Sequence, residues 1–378
     1  MEILFLAHRA PFPPDRGDRI RSYNILNYLA KRAGVHLVAF VDDDSEVTPE
    51  HRALVDECVL IRRTKSQARA AVEALAQGKP VSLTAFADRR IAATVKDILA
   101  RRPIDAIYAF SGQMAQYLPA MGPRAIMDFV DLDSAKFEAY ADDSRGPMRW
   151  MMRREARLLA AHEGTVANRV AASLFVSAPE AALLPGSRAV ENGIDTIFYD
   201  PQMTTPEKTR HPLIVFTGQM DYRPNVDAVI WFAQAVLPLL PDAHFAIVGR
   251  APTSAVRALA SASVTVTGEV ADVRGWLAAA DVVVAPLQLA RGVQNKVLEA
   301  MAMARPVVAS AAAAEGIDHA GTIRIAIDAK GYASTIKQLF ADPAGASALG
   351  AAARRQVIAR YGWDARLAPL NVLLGLSA

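Results

Sequence analysis

The sequence contains very little cysteine, since Cys58 is the only one among 378 residues. A single thiol excludes an internal disulfide, and the seven histidines show no pairing at metal-ligand spacing, so a zinc centre is excluded as well. Long apolar runs are also missing, because none approaches the roughly 18 residues that a membrane-spanning helix needs. Met1 runs directly into an apolar segment without a basic region or a cleavage site, so we expect a cytoplasmic protein without a membrane anchor of its own.

Several common catalytic motifs are absent. The sequence has no Gly-x-Ser-x-Gly elbow and no Walker phosphate loop, and it lacks the triple-glycine fingerprint, which argues against a dehydrogenase. The 42 basic and 39 acidic residues leave a net charge of only +3. This small excess, without a recognisable nucleic-acid motif, argues against a DNA- or RNA-binding protein. An apolar content of 52% and a charged content of 21% are typical of a globular protein with well-filled cores.

The sequence does contain a regular alternation of short apolar runs and helical stretches. This pattern is typical of parallel sheets that helices cover on both faces. The apolar runs fall into two sets, and each set has the size of one Rossmann-like sheet. The predicted strands are residues 3–7, 35–41, 59–61, 106–110, 125–130 and 174–176 in the first half, and 213–216, 244–248, 264–267, 282–285, 307–309 and 323–327 in the second.

A polar segment without periodicity, residues 192–211, separates the two sets and contains Pro201 and Pro206. Such composition indicates a linker between domains. We therefore predict a first domain over residues 1–191 and a second over residues 192–361. The terminal segment 362–378 contains a predicted helix over residues 364–376, whose apolar side chains indicate that it packs onto a domain.

The most informative segment covers residues 292–306. It follows an apolar strand and begins a helix, which is where α/β proteins bind ligands. Gly292 allows close approach of the backbone, Asn295 is a candidate N-cap, and the first-turn amides together with Lys296 favour an anion. Glu299 lies one turn after Lys296 and can accept bonds from both hydroxyls of a ribose. The segment predicts a site for a nucleoside diphosphate; the alternative is that Lys296 and Glu299 form an ordinary solvated ion pair.

This segment resembles the nucleotide-sugar signature of the GT-B glycosyltransferases of family 4. That signature has a Glu, seven residues, a second Glu, then Ala-Met-Ala and a Pro-Val strand. Glu299 matches the second Glu, whereas Arg291 stands where the first is expected. An arginine has only donors, so Arg291 is expected either to face an anionic group of the donor or acceptor, or to turn to solvent while the backbone of Gly292, Val293 and Gln294 holds the sugar.

The resemblance implies a GT-B fold, in which two Rossmann-like domains face each other across a cleft and the C-terminal helix returns to the first domain. The first domain would bind the acceptor and the second the nucleotide-sugar donor. In such a site Gln219 stands where an arginine is common, so Arg223 is the candidate for the second cation beside Lys296. The donor-binding residues that the resemblance implies are Gly17, Gly218, Arg223, Gly249, Gly268, Arg291, Gly292, Val293, Gln294, Asn295, Lys296 and Glu299.

Two carboxylates end the predicted strand 125–130, and they spell Asp131-Leu132-Asp133. GT-A transferases hold a metal with this pattern, but the two-sheet rhythm is not that of GT-A. A capping role for Asp133 or Ser134 explains part of the pattern. We interpret Asp131 as an acceptor-orienting or proton-accepting group, and we expect neither a metal nor another cofactor.

A basic stretch surrounds Trp150. Arginines at helical spacing alternate there with methionines. They form either a surface for anionic lipid at the membrane or the solvated face of an ordinary helix.

Together these features and the resemblance predict a glycosyltransferase that needs no metal, with Asp131, Arg223 and Lys296 as catalytic residues. The resemblance to family 4 implies that the transfer retains the anomeric configuration. Residues 127–136, 218–225 and 294–299 further resemble the exosortase-associated sugar transferases of bacterial exopolysaccharide synthesis. Two alternatives stay open. One is a GT-B nucleotide-sugar epimerase, and the other is an inactive GT-B subunit that binds a partner enzyme, which Arg291 in place of Glu would suit.

Overall fold

The computed structural model describes residues 1–14, 17–42, 47–290 and 293–376. The chain divides into two compact units. The first contains residues 1–192 together with 366–378, and the second contains residues 193–365. These divisions lie one residue and four residues from the predicted ones.

The first unit is built on a parallel sheet of seven strands in the order β3-β2-β1-β4-β5-β6-β7. The predicted strands of this half are confirmed, because their apolar side chains are buried on both faces of the sheet. The short edge strand β7 was not predicted, since both of its residues are exposed and it has no apolar run. The strands are β1 Glu2–Ala7, β2 Gly34–Val41, β3 Glu57–Arg62, β4 Ala106–Phe110, β5 Arg124–Val130, β6 Ala172–Phe175 and β7 Arg188–Ala189.

Helices connect these strands. A 3₁₀ helix at Gly112–Tyr117 follows β4. The α-helices of this part of the chain are α1 Gly17–Ala30, α2 Pro49–Arg52, α3 Gln67–Gln77, α4 Val81–Ala85, α5 Arg89–Arg101, α6 Asp133–Asp142, α7 Gly146–Ala167 and α8 Ala178–Ala182.

The second unit repeats the architecture with six parallel strands in the order β10-β9-β8-β11-β12-β13. Its strands are β8 Leu213–Thr217, β9 His244–Val248, β10 Val264–Gly268, β11 Val282–Ala285, β12 Val307–Ala309 and β13 Arg324–Ile325. Its helices are α9 Arg223–Trp231, α10 Ser254–Arg257, α11 Arg274–Ala279, α12 Asn295–Ala302, α13 Ala311–Ala314, α14 Ala329–Ala341 and α15 Pro343–Tyr361. The chain runs from α9 through a π-helical turn, Phe232–Val236, and 3₁₀ turns lie at Leu237–Leu239 and, in the linker, at Pro201–Met203.

The C-terminal segment differs from the prediction of one helix over residues 364–376. It forms two short helices, α16 Trp363–Leu367 and α17 Pro369–Leu374, because a proline has no amide hydrogen to continue the first one. Leu370 and Leu373 are buried, and Asn371 accepts a hydrogen bond of 2.8 Å from the hydroxyl of Tyr28 in α1. The part of this segment from Arg366 onward thus packs within the first unit.

In each sheet successive strands are added first on one side of the first strand and then on the other. The strand order therefore reverses between β1 and β4 in the first sheet and between β8 and β11 in the second. The loops at the carboxyl ends of the flanking strands diverge at such a point and leave a crevice for a ligand. No helix in the described part of the chain is both long and apolar enough to cross a membrane.

Candidate functional site

The carboxyl ends of β8, β9 and β10 and the amino end of α12 line a pocket of about 530 Å³ in the second unit. Most of the predicted donor-binding residues of this unit converge here. The predicted residues in the lining are Gly218, Gly249, Val293, Gln294, Asn295, Lys296 and Glu299. The lining also contains residues that were not predicted, among them Tyr199, Gln219, Asn225, Arg250 and Glu269. Arg291 and Gly292 lie outside the described residues.

Two glycines bring backbone close to this pocket. Gly218 has a φ of +155° and Gly249 a φ of +151°, which L-residues rarely adopt. A Cβ at Gly218 would lie 2.7 Å from Nδ2 of Asn225, and a Cβ at Gly249 would overlap the carbonyl oxygen of Gly218. The two loops therefore pack as closely as backbone permits. Gly268 does not line the pocket, but its carbonyl accepts the amide of Gly249 at 3.2 Å.

Lys296 is held in place by a partner 71 residues away. Its Nζ donates to Oδ1 of Asn225 at 2.5 Å, and Nδ2 of Asn225 donates to the carbonyl of Gln219 at 2.9 Å. The ammonium also lies 4.2 Å from the centroid of the Phe216 ring. Burial lowers the pKa of Lys296 to about 8, and the charge of Glu299 opposes this shift. The lysine is thus a preoriented cation whose charge is lost slightly above neutral pH.

Glu299 lies one turn along α12 from Lys296. Burial raises the pKa of its carboxyl group, while a hydrogen bond from Tyr199 and the charge of Lys296 oppose that rise. The pKa of Tyr199 is raised well above its ordinary value, first by its own burial and then by the Glu299 charge. The phenol therefore stays protonated and can act as a donor to this carboxylate. No local pattern reveals the Tyr199 contact, because the two residues are 100 positions apart in the sequence.

The start of α12 differs from the prediction by one residue. Gln294, with φ −87° and ψ 101°, is the N-cap and makes no capping bond with its side chain. Asn295, predicted as the cap, is the first helical residue and is exposed. The capping preference of asparagine is overridden here because the chain enters the helix one residue earlier. The amide of Val297 already donates to the carbonyl of Gln294 at 3.0 Å. The amides of Asn295 and Lys296 have no acceptor within the helix and are oriented toward its amino end, where the pocket lies.

The structure does not bring Arg223 into the pocket. Its side chain is 91% exposed, and its Nε lies 3.6 Å from a carboxylate oxygen of Asp227, one helical turn further on. The cation that does line the pocket beside Lys296 is Arg250, which sequence reasoning missed. The available signal was its position directly after Gly249, at the end of β9.

Gly17 and Asp131 belong to the first unit. Gly17 is the exposed first residue of α1, and a Cβ there would meet nothing within 4 Å. The Asp131 side chain is half-exposed, and the ammonium of Lys136 lies 3.6 Å from an oxygen of Asp131 and 3.6 Å from one of Asp133. Burial raises the pKa of Asp133, and Lys136 opposes that rise. The described residues contain no group of three or more side chains arranged to hold a metal ion.

The predicted capping role of Asp133 or Ser134 is wrong. The N-cap of α6 is Leu132, without a side-chain cap, and Asp133 instead accepts a bond of 3.0 Å from Gln113. Two distant carboxylates accept the free amides of this helix end. Glu180 accepts from Leu132 at 2.9 Å, and Glu163 accepts from Ser134 at 3.1 Å.

A buried ion pair holds α1 against the sheet of the first unit. Arg21 is 1% exposed and donates two bonds, at 2.9 and 3.1 Å, to one oxygen of the buried Asp128. Tyr108 donates to the same oxygen at 2.7 Å, and Arg21 also donates to Asn192 at 2.8 Å. This network ties α1 to two strands and to Asn192, where the first segment of the unit ends, so its role is structural. A second, larger pocket of about 1080 Å³ lies over α3 to α5, and none of the predicted site residues line it.

Comparisons with known proteins bear on the fold of the chain and on the family likeness of its second unit. Residues 211–342 match the family model described as "Glycosyl transferases group 1". A comparison with curated proteins found no match. Among solved structures, Anabaena HepE in complex with UDP is 16% identical with a TM-score of 0.60, and the alignment covers 99% of this chain and 100% of that one. A glycosyltransferase from Rickettsia africae is 15% identical with a TM-score of 0.61, and the alignment covers 98% and 97% of the two chains.

A third structure is that of WaaG, described as a glycosyltransferase involved in lipopolysaccharide biosynthesis. It is 16% identical with a TM-score of 0.54, and the alignment covers 99% of this chain and 100% of that one. The predicted fold class, two Rossmann-like domains of the GT-B type, is confirmed by these structures. The chain therefore has the GT-B fold, and residues 211–342 form a domain similar to the group 1 glycosyltransferases.

Proposed function

We propose that this protein is a glycosyltransferase that takes its sugar from a nucleoside diphosphate donor bound in the pocket of the second unit. One observation carries the proposal: Lys296 and Glu299 line the same pocket from one face of α12, at the point where the strand order reverses. A lysine with helix-end amides suits a diphosphate, and a carboxylate one turn deeper suits the hydroxyls of a ribose. The UDP bound to HepE supports a donor of this class.

The proposed chemistry is electrostatic. The bond between the anomeric carbon of the sugar and the diphosphate oxygen breaks, and an acceptor hydroxyl forms the new bond to that carbon. Negative charge then develops on the diphosphate, and Lys296 with the first-turn amides of α12 would stabilise it. Asp131 would orient the acceptor hydroxyl or accept its proton. By resemblance to family 4, the transfer retains the anomeric configuration and needs no metal.

The function is tested by turnover. The protein is incubated with a panel of nucleotide sugars, with and without a membrane extract as the source of acceptors, and free nucleoside diphosphate is measured. We expect release that depends on the extract, and NMR of the product should show the anomeric configuration of the donor. An altered nucleotide sugar without release would indicate an epimerase. Tight nucleotide binding without any conversion would indicate a non-catalytic subunit.

We also propose that the acceptor belongs to a bacterial surface glycan, such as an exopolysaccharide, and that α7 holds the protein at an anionic membrane. The description of WaaG supports the first part. Arg149, Arg153 and Arg157 follow one another at spacings of four residues and are all exposed. Trp150 is 60% and Met148 56% exposed beside them, which is the composition of an interfacial helix.

Vesicle binding tests the membrane contact. Arg154 of α7 is not counted among the membrane-facing arginines, because its guanidinium donates to the carbonyls of Lys79 and Ala74. Replacement of the three exposed arginines of α7 by glutamine should abolish cosedimentation with anionic vesicles at low salt. The matched control replaces three exposed arginines of the second unit, namely Arg257, Arg324 and Arg355. Equal cosedimentation of both triple variants would contradict the proposed contact.

A further inference from the structure

Only two basic side chains line the described part of the pocket, Lys296 and Arg250. We propose that Arg250 is the second cation that holds the diphosphate, in place of the Arg223 that the sequence suggested. This inference rests on the proposed function, because it concerns the same pocket. Arg250 would bind the phosphate group that lies further from Lys296, or it would bridge the two phosphate groups.

The charge of the pocket shows why a second cation is needed. Glu269 and Glu299 also line it, so without Arg250 the described part of the lining would carry one positive and two negative side chains. A terminal phosphate alone carries a charge of about −1.5 to −2 at neutral pH. Such an anion would be repelled by a lining of net negative charge, since like charges at close range raise the free energy of binding. Arg250 restores the balance.

Arg250 is held where it can do this. It directly follows Gly249 at the end of β9, and its carbonyl accepts the amide of Met220 at 2.9 Å, which fixes the two loops together. Its guanidinium Nη2 donates to Oε1 of Gln219 at 3.1 Å. An amide oxygen orients the guanidinium without neutralising it. In the described part of the chain Arg250 forms no ion pair, and its one side-chain hydrogen bond is the contact with Gln219.

Arg223 offers a clear contrast. It is exposed, as Arg250 is, but it faces the carboxylate of Asp227 and is not in the lining. The two assignments therefore predict different results, because only the arginine that contacts the phosphate should weaken phosphate binding when it is replaced. Arginine also suits the task because its planar fork can donate two parallel bonds to a phosphate.

The experiment is a titration of each variant with a nucleoside, its monophosphate and its diphosphate. Arg250→Gln should lower the affinity for the diphosphate by about ten- to a hundred-fold, since a charge-assisted contact to phosphate is lost. Its affinity for the nucleoside should not change. Arg250→Lys should fall between the wild type and Arg250→Gln, because it keeps the charge and loses the fork. Arg223→Gln, and Arg257→Gln as an exposed control on α10, should bind all three ligands like the wild type.

The outcomes separate this inference from the proposed function. If the wild type binds no diphosphate, the proposed function fails and this inference fails with it. If the wild type binds and Glu299→Gln weakens binding, but Arg250→Gln does not, the pocket stands and the role of Arg250 is wrong. A loss in Arg223→Gln without one in Arg250→Gln would return the role to Arg223. An equal loss for nucleoside and diphosphate in Arg250→Gln would show a structural effect and would also overturn the assignment.

Discussion

The lowered pKa of Lys296 predicts how nucleotide binding depends on pH. Burial lowers this pKa to about 8. The ammonium is then about nine-tenths charged at pH 7 and about one-tenth charged at pH 9. A bound diphosphate favours the charged form and therefore raises the pKa in the complex. Below pH 8 both states carry the proton, and affinity is constant. Above pH 8 the free protein has lost a proton that the complex needs, so affinity falls as pH rises.

The expected size follows from the same numbers. Diphosphate affinity should fall by about tenfold for each pH unit above 8 until the pKa of the complex is reached. If the phosphate restores an ordinary lysine pKa of about 10.4, the total loss is about two orders of magnitude. The ligand does not interfere above pH 8, because the second ionisation of a terminal phosphate has a pKa of about 6 and is nearly complete there. No histidine or cysteine is found in the described lining of the pocket.

Isothermal titration with a nucleoside diphosphate between pH 6.5 and 9.5 measures this dependence. Repeating the titration near pH 8.5 in buffers of different ionisation enthalpy should show uptake of a proton on binding. Lys296→Arg is the matched control, because an arginine stays charged over the whole range and should remove the pH dependence. Wild-type affinity that stays flat up to pH 9.5, or an equal fall in the arginine variant, would refute the assignment of Lys296 to the diphosphate.

Three further predictions concern the same site. Glu299→Gln should weaken binding of the nucleoside and of the nucleoside diphosphate alike, by about 1.5 to 3 kcal/mol, since a charge-assisted bond to ribose is lost. Calorimetry that finds the same affinity in the wild type and in the variant would remove this residue from the site. Gly218→Ala should destabilise the protein by about 1 to 3 kcal/mol through its backbone conformation and also weaken diphosphate binding, because the new Cβ displaces Asn225; Gly321→Ala, at φ +75° with nothing within 4 Å, should lower the melting temperature without affecting binding. Transfer activity should survive EDTA, since protein cations hold the diphosphate; complete loss that Mn²⁺ restores would instead assign a metal to the carboxylates at 131 and 133.

Much of the architecture could be predicted from the sequence because its signals are local. Every predicted strand is present, since each is encoded by a short apolar run, and these runs are buried on both faces in the central strands of the two sheets. The edge strand β7 and the break before Pro369 were missed, the first for lack of an apolar run and the second because the apolar pattern continues through the break. A periodic pattern of apolar residues predicts that a helix is present more reliably than it predicts where the helix ends.

The helical spacing of Lys296 and Glu299, and the position of their segment after a strand, were determined by the sequence alone. Only the tertiary structure decided what orients these side chains, because Asn225 and Tyr199 lie 71 and 100 residues away along the chain. It likewise placed Arg250 in the pocket and Arg223 in solvent. Arg250 directly follows the glycine at the end of β9, whereas residues 219–222 separate Arg223 from Gly218. Local periodicity encodes which face of an element a residue occupies, whereas the partner across that face depends on how separate strands are ordered in the sheet.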